Sequence, residues 1–385
     1  MNVPIYVSIL AAGGLLLIFT YTRRLGFSER DPEVFFSAPF PVLADLENTD
    51  PRAYLVPLRT KGRFIVDRNE ERVKLASVNW YGGRDELFGF NSVRLPYSDE
   101  MMDNPLIPAE LLLTNVDLVG MRALDVFIAV VDALTEADIA VIINNHITHA
   151  TWFCGANLCD TAWYNNHLGA FCRVRQTEDQ WNWELMMTSF VDNPLVIGAD
   201  LRNEPRGIWD TMPRSKWATA AERAGNRLLG LRVDWLIFVE GVSSSNDFSG
   251  AKDRPIVLDF DHSVVFSAHV YSWSGRGSYE GMYARRSFES FSKSMVENWA
   301  YLLEQDIAPV WVGVFRGPHL PKKGDLHYWN NLLRFLKIVD ADFAYWAINP
   351  RKPANGEYEA HGLVSDDWET PILDYRLRDM IGFGE

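Results

Sequence analysis

From about Arg72 to residue 350 the chain repeats one alternation. A short, β-rich apolar run is followed by a longer stretch whose apolar residues recur at helical spacing. The runs are Val73–Trp80, Ser92–Pro96, Ala140–Asn145, Leu195–Asn203, Trp235–Glu240, Val264–Tyr271, Pro309–Phe315 and Phe343–Asn349. The clearest helix spans Val116–Ala137, where Leu118, Met121, Leu124, Phe127, Val131 and Leu134 share a face. Upstream, Gly62–Val66 and Val73–Leu75 flank a polar turn, which predicts a hairpin closing the bottom of the fold. Eight βα units in series predict a single-domain (β/α)₈ barrel of the TIM type over residues 58–385. Its functional site is expected at the C-terminal ends of the strands.

The first residues follow a different pattern. Pro4–Tyr21 is uncharged and mostly apolar, and Thr22-Arg23-Arg24 follows it directly. At ~1.5 Å per residue such a run just crosses a ~30 Å hydrocarbon layer. No Lys or Arg precedes it and no clear small-x-small cleavage site follows, so residues 1–24 are expected to be a retained membrane anchor, with a signal peptide as the alternative. The basic pair favours a cytoplasmic barrel by the positive-inside rule. Residues 25–57, with several prolines and acidic residues, are expected to form a spacer.

Composition narrows the partners. The 385 residues carry 37 basic and 51 acidic side chains, a net charge of −14, with no basic run longer than a pair. That disfavours nucleic acid and leaves a neutral ligand acceptable. Fourteen tryptophans suit stacking against sugar rings, although large barrels also bury many aromatics. Cys154, Cys159 and Cys172 lack the paired spacing of a zinc site. Either Cys154 and Cys159 staple a short loop, leaving Cys172 over, or all three are thiols.

Polar residues gather where the predicted strands end. Arg94 lies in the second run, Asn145-His146 closes the third, Asn203-Glu204-Pro205 the fourth and His269-Val270-Tyr271 the sixth; Trp346 lies in the eighth. A lone His or Arg at such a place is more often structural. Several converging on one face are costly to bury without a ligand to serve.

At these residues the chain resembles glycoside hydrolase family 5, the fungal-type cellulases and other β-glycanases. The stretch Ala199-Asp200-Leu201-Arg202-Asn203-Glu204-Pro205 matches the family's Asn-Glu-Pro signature. Val78-Asn79-Trp80, Val93-Arg94, Asn145-His146 with Trp152, Ser267–Tyr271 and Tyr345–Asn349 follow in the family's order. The resemblance covers roughly residues 58–380. It implies that Glu204 is the general acid/base and that Arg94, His146, Asn203, His269, Tyr271, Trp346 and Trp152 bind sugar. It implies no metal and no cofactor.

The seventh run departs from the pattern. Where the family has a Gly-Glu-Phe-Gly-like segment bearing the nucleophile, this chain has Gly313-Val314-Phe315-Arg316-Gly317. Val314 therefore stands at the nucleophile's position and Arg316 where a small residue is common. A retaining glycosidase needs two carboxyl groups ~5 Å apart, and an isopropyl group can neither bond the anomeric carbon nor stabilise its positive charge. Glu240 and Asp200 are the remaining candidates for a substitute carboxylate. The expectation is an impaired enzyme, in effect a pseudoenzyme, that still binds a β-linked oligo- or polysaccharide at the cell surface or in the secretory pathway. The alternatives are an active β-glycanase with a substitute carboxylate and a non-catalytic, membrane-tethered interaction protein.

Overall fold

A computed structural model describes residues 54–381, apart from the stretches 81–88, 110–111, 113–114, 151–156, 178–181, 207–208, 211–216, 276–281 and 353–355. The expected anchor at residues 4–21, most of the spacer, Trp152 and Cys154 lie outside the described residues. Among the described residues no helix is long and apolar enough to cross a membrane.

Two short strands, β1 (Arg59–Lys61) and β2 (Phe64–Val66), form an antiparallel hairpin. Eight further strands follow: β3 (Ala76–Asn79), β4 (Ser92–Ser98), β5 (Ala140–Ile147), β6 (Val196–Asp200), β7 (Leu236–Glu240), β8 (Val264–His269), β9 (Val310–Phe315) and β10 (Asp342–Tyr345). They pair in parallel around a closed barrel in which β10 returns to β3. Helices such as Trp217–Leu231 and Lys323–Val339 lie between them in sequence. The predicted (β/α)₈ architecture is therefore observed.

Two local expectations need correction. The partner of residues 64–66 is 59–61, across a tight turn at Gly62-Arg63; the expected partner 73–75 adds one bond, from the Val73 amide to the Ile65 carbonyl, beside an isolated bridge between Val66 and Arg72. The helix expected from Val116 begins at Ala123, and only a 3₁₀ turn occupies Val116–Leu118. Gly120, at φ 90°, holds a backbone conformation no helix can include. Val116 stays exposed as a result.

The period-2 geometry of a strand sorts side chains into two cores. Ala140, Ile142, Leu236, Phe238, Val265 and Trp311 fill the barrel interior, with Leu58, Ile65, Val73 and Leu75 closing the bottom. Val141, Ile143, Ile237, Val239, Phe266 and Val312 face the helical layer instead. Register shifts interrupt this alternation at several interfaces, and two of them place residues at the mouth: one where β5 meets β6 and one where β9 meets both β8 and β10. Each inserts an extra residue, so inward-facing Ile197 and Trp311 are followed by inward-facing Asp200 and Val314, three positions on rather than two.

A glycine sits at each of these two, where another backbone or side chain comes close. A Cβ at Gly198 would meet the Leu236 carbonyl oxygen at 2.1 Å, and one at Gly313 would meet Ser267 Oγ at 2.5 Å. Gly198→Ala is expected to cost about 2–3 kcal/mol, because main chain rather than a side-chain tip must yield. Gly230→Ala, where a Cβ meets nothing within 4 Å, is the control. It should be neutral or gain up to about 1 kcal/mol. Denaturant titration of both variants checks the contrast; equal effects would remove the close approach as its cause.

Candidate functional site at the barrel mouth

Arg94, on β4 and with no solvent exposure, organises the mouth. Its Nε donates to Asp200 Oδ2 at 2.7 Å and its Nη1 to Asn79 Oδ1 at 3.0 Å. Nη2 donates to both Asn203 Oδ1 at 3.0 Å and Glu240 Oε1 at 2.8 Å. Asn79 in turn donates to the carbonyls of Gly313 and Tyr345, tying the guanidinium to β9 and β10. Burial works against the charge of Arg94, but Asp200 and Glu240 outweigh it and its pKa rises.

Glu204 lies just beyond β6, in a left-handed conformation at φ 49°. Such a backbone is strained for a residue other than glycine and persists where neighbours fix it. Here the Glu204 amide donates to Glu240 Oε2 at 2.6 Å. Its carboxylate Oε1 is 2.9 Å from His269 Nδ1 and accepts from the Tyr271 hydroxyl at 2.7 Å. Burial pushes the Glu204 pKa up, but the bond and charge of His269, the Tyr271 hydroxyl and Arg94 together hold it below the ordinary glutamate value.

His269 has the opposite bias. Desolvation of its ring favours the neutral form, yet the charge of Glu240 and the contacts with Glu204 raise its pKa to about 9. Its Nε2 is 3.4 Å from Glu240 Oε1, a charge contact rather than a formed hydrogen bond. His146 stays neutral, because burial and the nearby charge of Arg94 push its pKa well down. Asn144 Oδ1 is 2.8 Å from its Nδ1, and its ring stacks on Trp346 with centroids 5.3 Å apart.

Val314 is buried against Trp346 and Ala347, with the Tyr271 ring packed on the same cluster. Tyr271 thus bonds Glu204 and packs on the cluster that holds Val314, which puts the two positions at the same end of the barrel. Glu240 and Asp200 are fully buried and bonded to Arg94, and burial raises the Asp200 pKa to about 7. Both carboxylates are engaged by the Arg94 guanidinium. The structure accordingly gathers Arg94, His146, Asn203, Glu204, His269, Tyr271, Val314 and Trp346 at one end of the barrel. Trp152 lies outside the described residues.

Some neighbours escaped the sequence reading. Arg202 donates to Asn145 Oδ1 at 2.6 Å, to Asp99 Oδ2 at 3.1 Å and to Thr148 Oγ1 at 2.9 Å, an outer ring that braces the loop bearing Glu204. Trp273 stacks on Tyr271 at 4.6 Å, and the Arg316 guanidinium lies 4.6 Å from the Trp273 ring. The spacing Tyr271-x-Trp273 was the available signal, but in a loop such spacing does not fix direction.

The loop after β5 is closed by a disulfide between Cys159 and Cys172, with Cα atoms 5.7 Å apart. This corrects the pairing of Cys154 with Cys159 and the all-thiol alternative. Asn165 folds the segment back by bonding the Cys159 and Val174 carbonyls and the Gln176 amide, which brings the two distant cysteines together. Asp160, next to the bridge, accepts from the Thr148 amide at 2.8 Å. Among the described residues no cluster suits a metal ion.

The family model for cellulase (glycosyl hydrolase family 5) matches residues 86–352. An endoglucanase of Paenibacillus polymyxa is 29% identical over 363 residues, covering 84% of this chain and 85% of that protein. The major extracellular endoglucanase of Xanthomonas campestris pv. campestris is 27% identical over 354 residues, 81% of this chain and 68% of that protein. The endocellulase of the archaeon Pyrococcus horikoshii, solved also in complex with cellotetraose, superposes with a TM-score of 0.69 at 22% identity, over 86% of this chain and 100% of that one. At that identity the superposition speaks for the fold alone.

Two expectations follow from the geometry. The His269 pKa is raised above the ~6.5 of an unfolded chain, so its contribution to stability is complete below about pH 6.5 and is lost as pH rises through about 9. Denaturant midpoints at pH 6 and pH 9.5 should fall for the natural protein and change less for His269→Gln; parallel falls would contradict a charged His269. Loss of the 13-residue disulfide loop in Cys159→Ser/Cys172→Ser should cost about 3 kcal/mol. A reductant should then lower the melting temperature of the natural protein and leave that of the double variant unchanged.

Proposed function

We propose that this chain, which belongs to glycosyl hydrolase family 5, is a β-glycan-binding member whose hydrolytic step is impaired by the loss of its nucleophile. The observation that carries the reading is the apolar cluster of Val314, Trp346 and Ala347, with Tyr271 packed on it, at the place where a second carboxylate is needed. Each tenfold loss of rate corresponds to ~1.4 kcal/mol of barrier, and absence of a covalent nucleophile amounts to several such factors. The bonds made by Glu240 and Asp200 to Arg94 argue against either as a substitute.

Glu204 keeps the general acid/base position. An effective proton donor needs a pKa raised toward the working pH, whereas His269 and Tyr271 stabilise the Glu204 carboxylate. With no partner carboxylate to counter them, Glu204 serves better as a hydrogen-bond acceptor for sugar hydroxyls. Arg94 positions this constellation from beneath. His146, Asn203, His269 and Tyr271 offer polar contacts, and Trp346 offers an indole face, with Trp152 as a further platform. The cellotetraose complex of the archaeal relative makes β-1,4-linked glucose oligomers the first ligands to try.

The disulfide also supports a place for the protein. Cross-links of this kind persist in oxidising compartments, which favours the secretory pathway or cell surface over the cytoplasmic orientation suggested by Arg23-Arg24. Residues 4–21 would hold the barrel at the membrane on that side.

The test is turnover of an activated aryl β-cellobioside by the natural protein, by Val314→Glu and by Val314→Glu/Arg316→Gly, each against its own Glu204→Ala partner. The natural protein should show no Glu204-dependent turnover. The double variant should gain at least about a hundredfold over its partner, since the remaining site is in place. Robust Glu204-dependent turnover by the natural protein would overturn the reading. In parallel, calorimetric titration with cellotetraose should show binding that Trp346→Ala weakens at least about tenfold.

A further inference from the structure

We infer that Arg316 makes the site selective for an acidic β-glycan, by binding the carboxylate of a uronic acid unit beside the sugar held at Glu204. This rests on the glycan-binding reading above and names the ligand class of that same site.

The placement of Arg316 follows from the register shift in β9. The extra residue turns Val314 into the mouth, and Arg316 comes two positions later, just past the strand. Its guanidinium lies 4.6 Å from the Trp273 ring and 5.8 Å from the Tyr271 ring, the tyrosine whose hydroxyl bonds Glu204. One aromatic side chain therefore separates the cation from the Glu204 carboxylate. Trp273 is 49% exposed, so this surface opens to solvent.

No ion pair cancels the charge of Arg316 among the described residues. Among the described residues no carboxylate lies within 4 Å of it, whereas Arg94, Arg202, Arg254 and Arg376 each have at least one. The side chain is half-buried, and its Nε is shielded from solvent without a hydrogen-bond acceptor. Its neighbour His361 offers no negative charge; burial, with the field of Arg316, pushes that imidazole's pKa down to about 3. A guanidinium stacked on rings still presents in-plane N–H groups, and a carboxylate meets them with two parallel bonds. A neutral sugar hydroxyl gains much less from the same cation.

The seventh strand thus reverses the local electrostatics. A valine stands at the expected carboxylate position and a cation two residues on, which disfavours an oxocarbenium-like charge and favours an anion. Uronic acids supply that anion on an otherwise unchanged pyranose, so the rest of the site needs no alteration to accept one.

The experiment compares cellotetraose with its C6-oxidised counterpart, a β-1,4-linked glucuronic acid tetramer, by calorimetric titration of the natural protein, Arg316→Gln, Arg316→Lys and Trp346→Ala. The acidic tetramer should bind the natural protein at least about tenfold more tightly, as a charge-assisted bidentate pair warrants, and the preference should shrink as salt is raised. Arg316→Gln should bring the two ligands within about threefold of each other, and Arg316→Lys should keep part of the preference. Equal affinities in the natural protein, or a preference that survives Arg316→Gln, would overturn this inference while leaving glycan binding intact. If neither tetramer binds and Trp346→Ala changes nothing, both this inference and the glycan-binding reading fall.

Discussion

A guanidinium without access to water holds the mouth of this barrel together. An unpaired charge at such depth costs several kcal/mol, so every donor of Arg94 must find an acceptor, and the acceptors come from β3, β6, β7 and the loop beyond β6. Satisfying Arg94 therefore fixes the relative heights of these elements. Glu240 passes the constraint on: one oxygen accepts from Arg94, and the other accepts the Glu204 amide and holds it in its left-handed turn. The catalytic-position carboxylate is aimed by a chain of buried bonds rather than by its own loop.

Val314 takes no part in the Arg94 network; it makes apolar contacts with Trp346 and Ala347. Replacing a carboxylate there by an isopropyl group removes a reacting atom and a charge without unpairing any buried donor. The polar scaffold and the apolar patch are adjacent, joined through Tyr271, yet energetically separable. On the proposed reading, a valine at this position is mild for folding and severe for bond cleavage.

Charge then sets what the mouth prefers. Glu204 is held ionised by His269 and Tyr271, and its negative charge is matched by His269. Asp200 and Glu240 are absorbed by Arg94. Arg316 has no such match among the described residues, and it lies over the half-exposed Trp273 ring. The acidic composition of the whole chain does not reach this balance. Local fields in a low-dielectric cleft are set by the nearest unpaired groups.

Much of this was legible in the residues. Eight apolar runs separated by amphipathic stretches specify a parallel barrel because burial on both faces leaves each strand no polar side to show. Polar residues at the run ends specify a mouth, since so many buried donors are stable only where they meet. The order Asn-Glu-Pro, His-x-Tyr and Trp346 carried the family, and Gly313–Gly317 carried the departure from its usual seventh-strand segment. Other features required three dimensions. A strand alternates with period 2, so the sequence predicts an inward residue from its neighbours, and register shifts in β6 and β9 break that rule at Asp200 and Val314. The cysteine pairing depended on how Asn165 folds a loop, which cysteine spacing does not encode. The partners of Arg94 lie 15, 106, 109 and 146 residues away in the chain. Local pattern determines which residues are buried; only the closed barrel decides which of them meet.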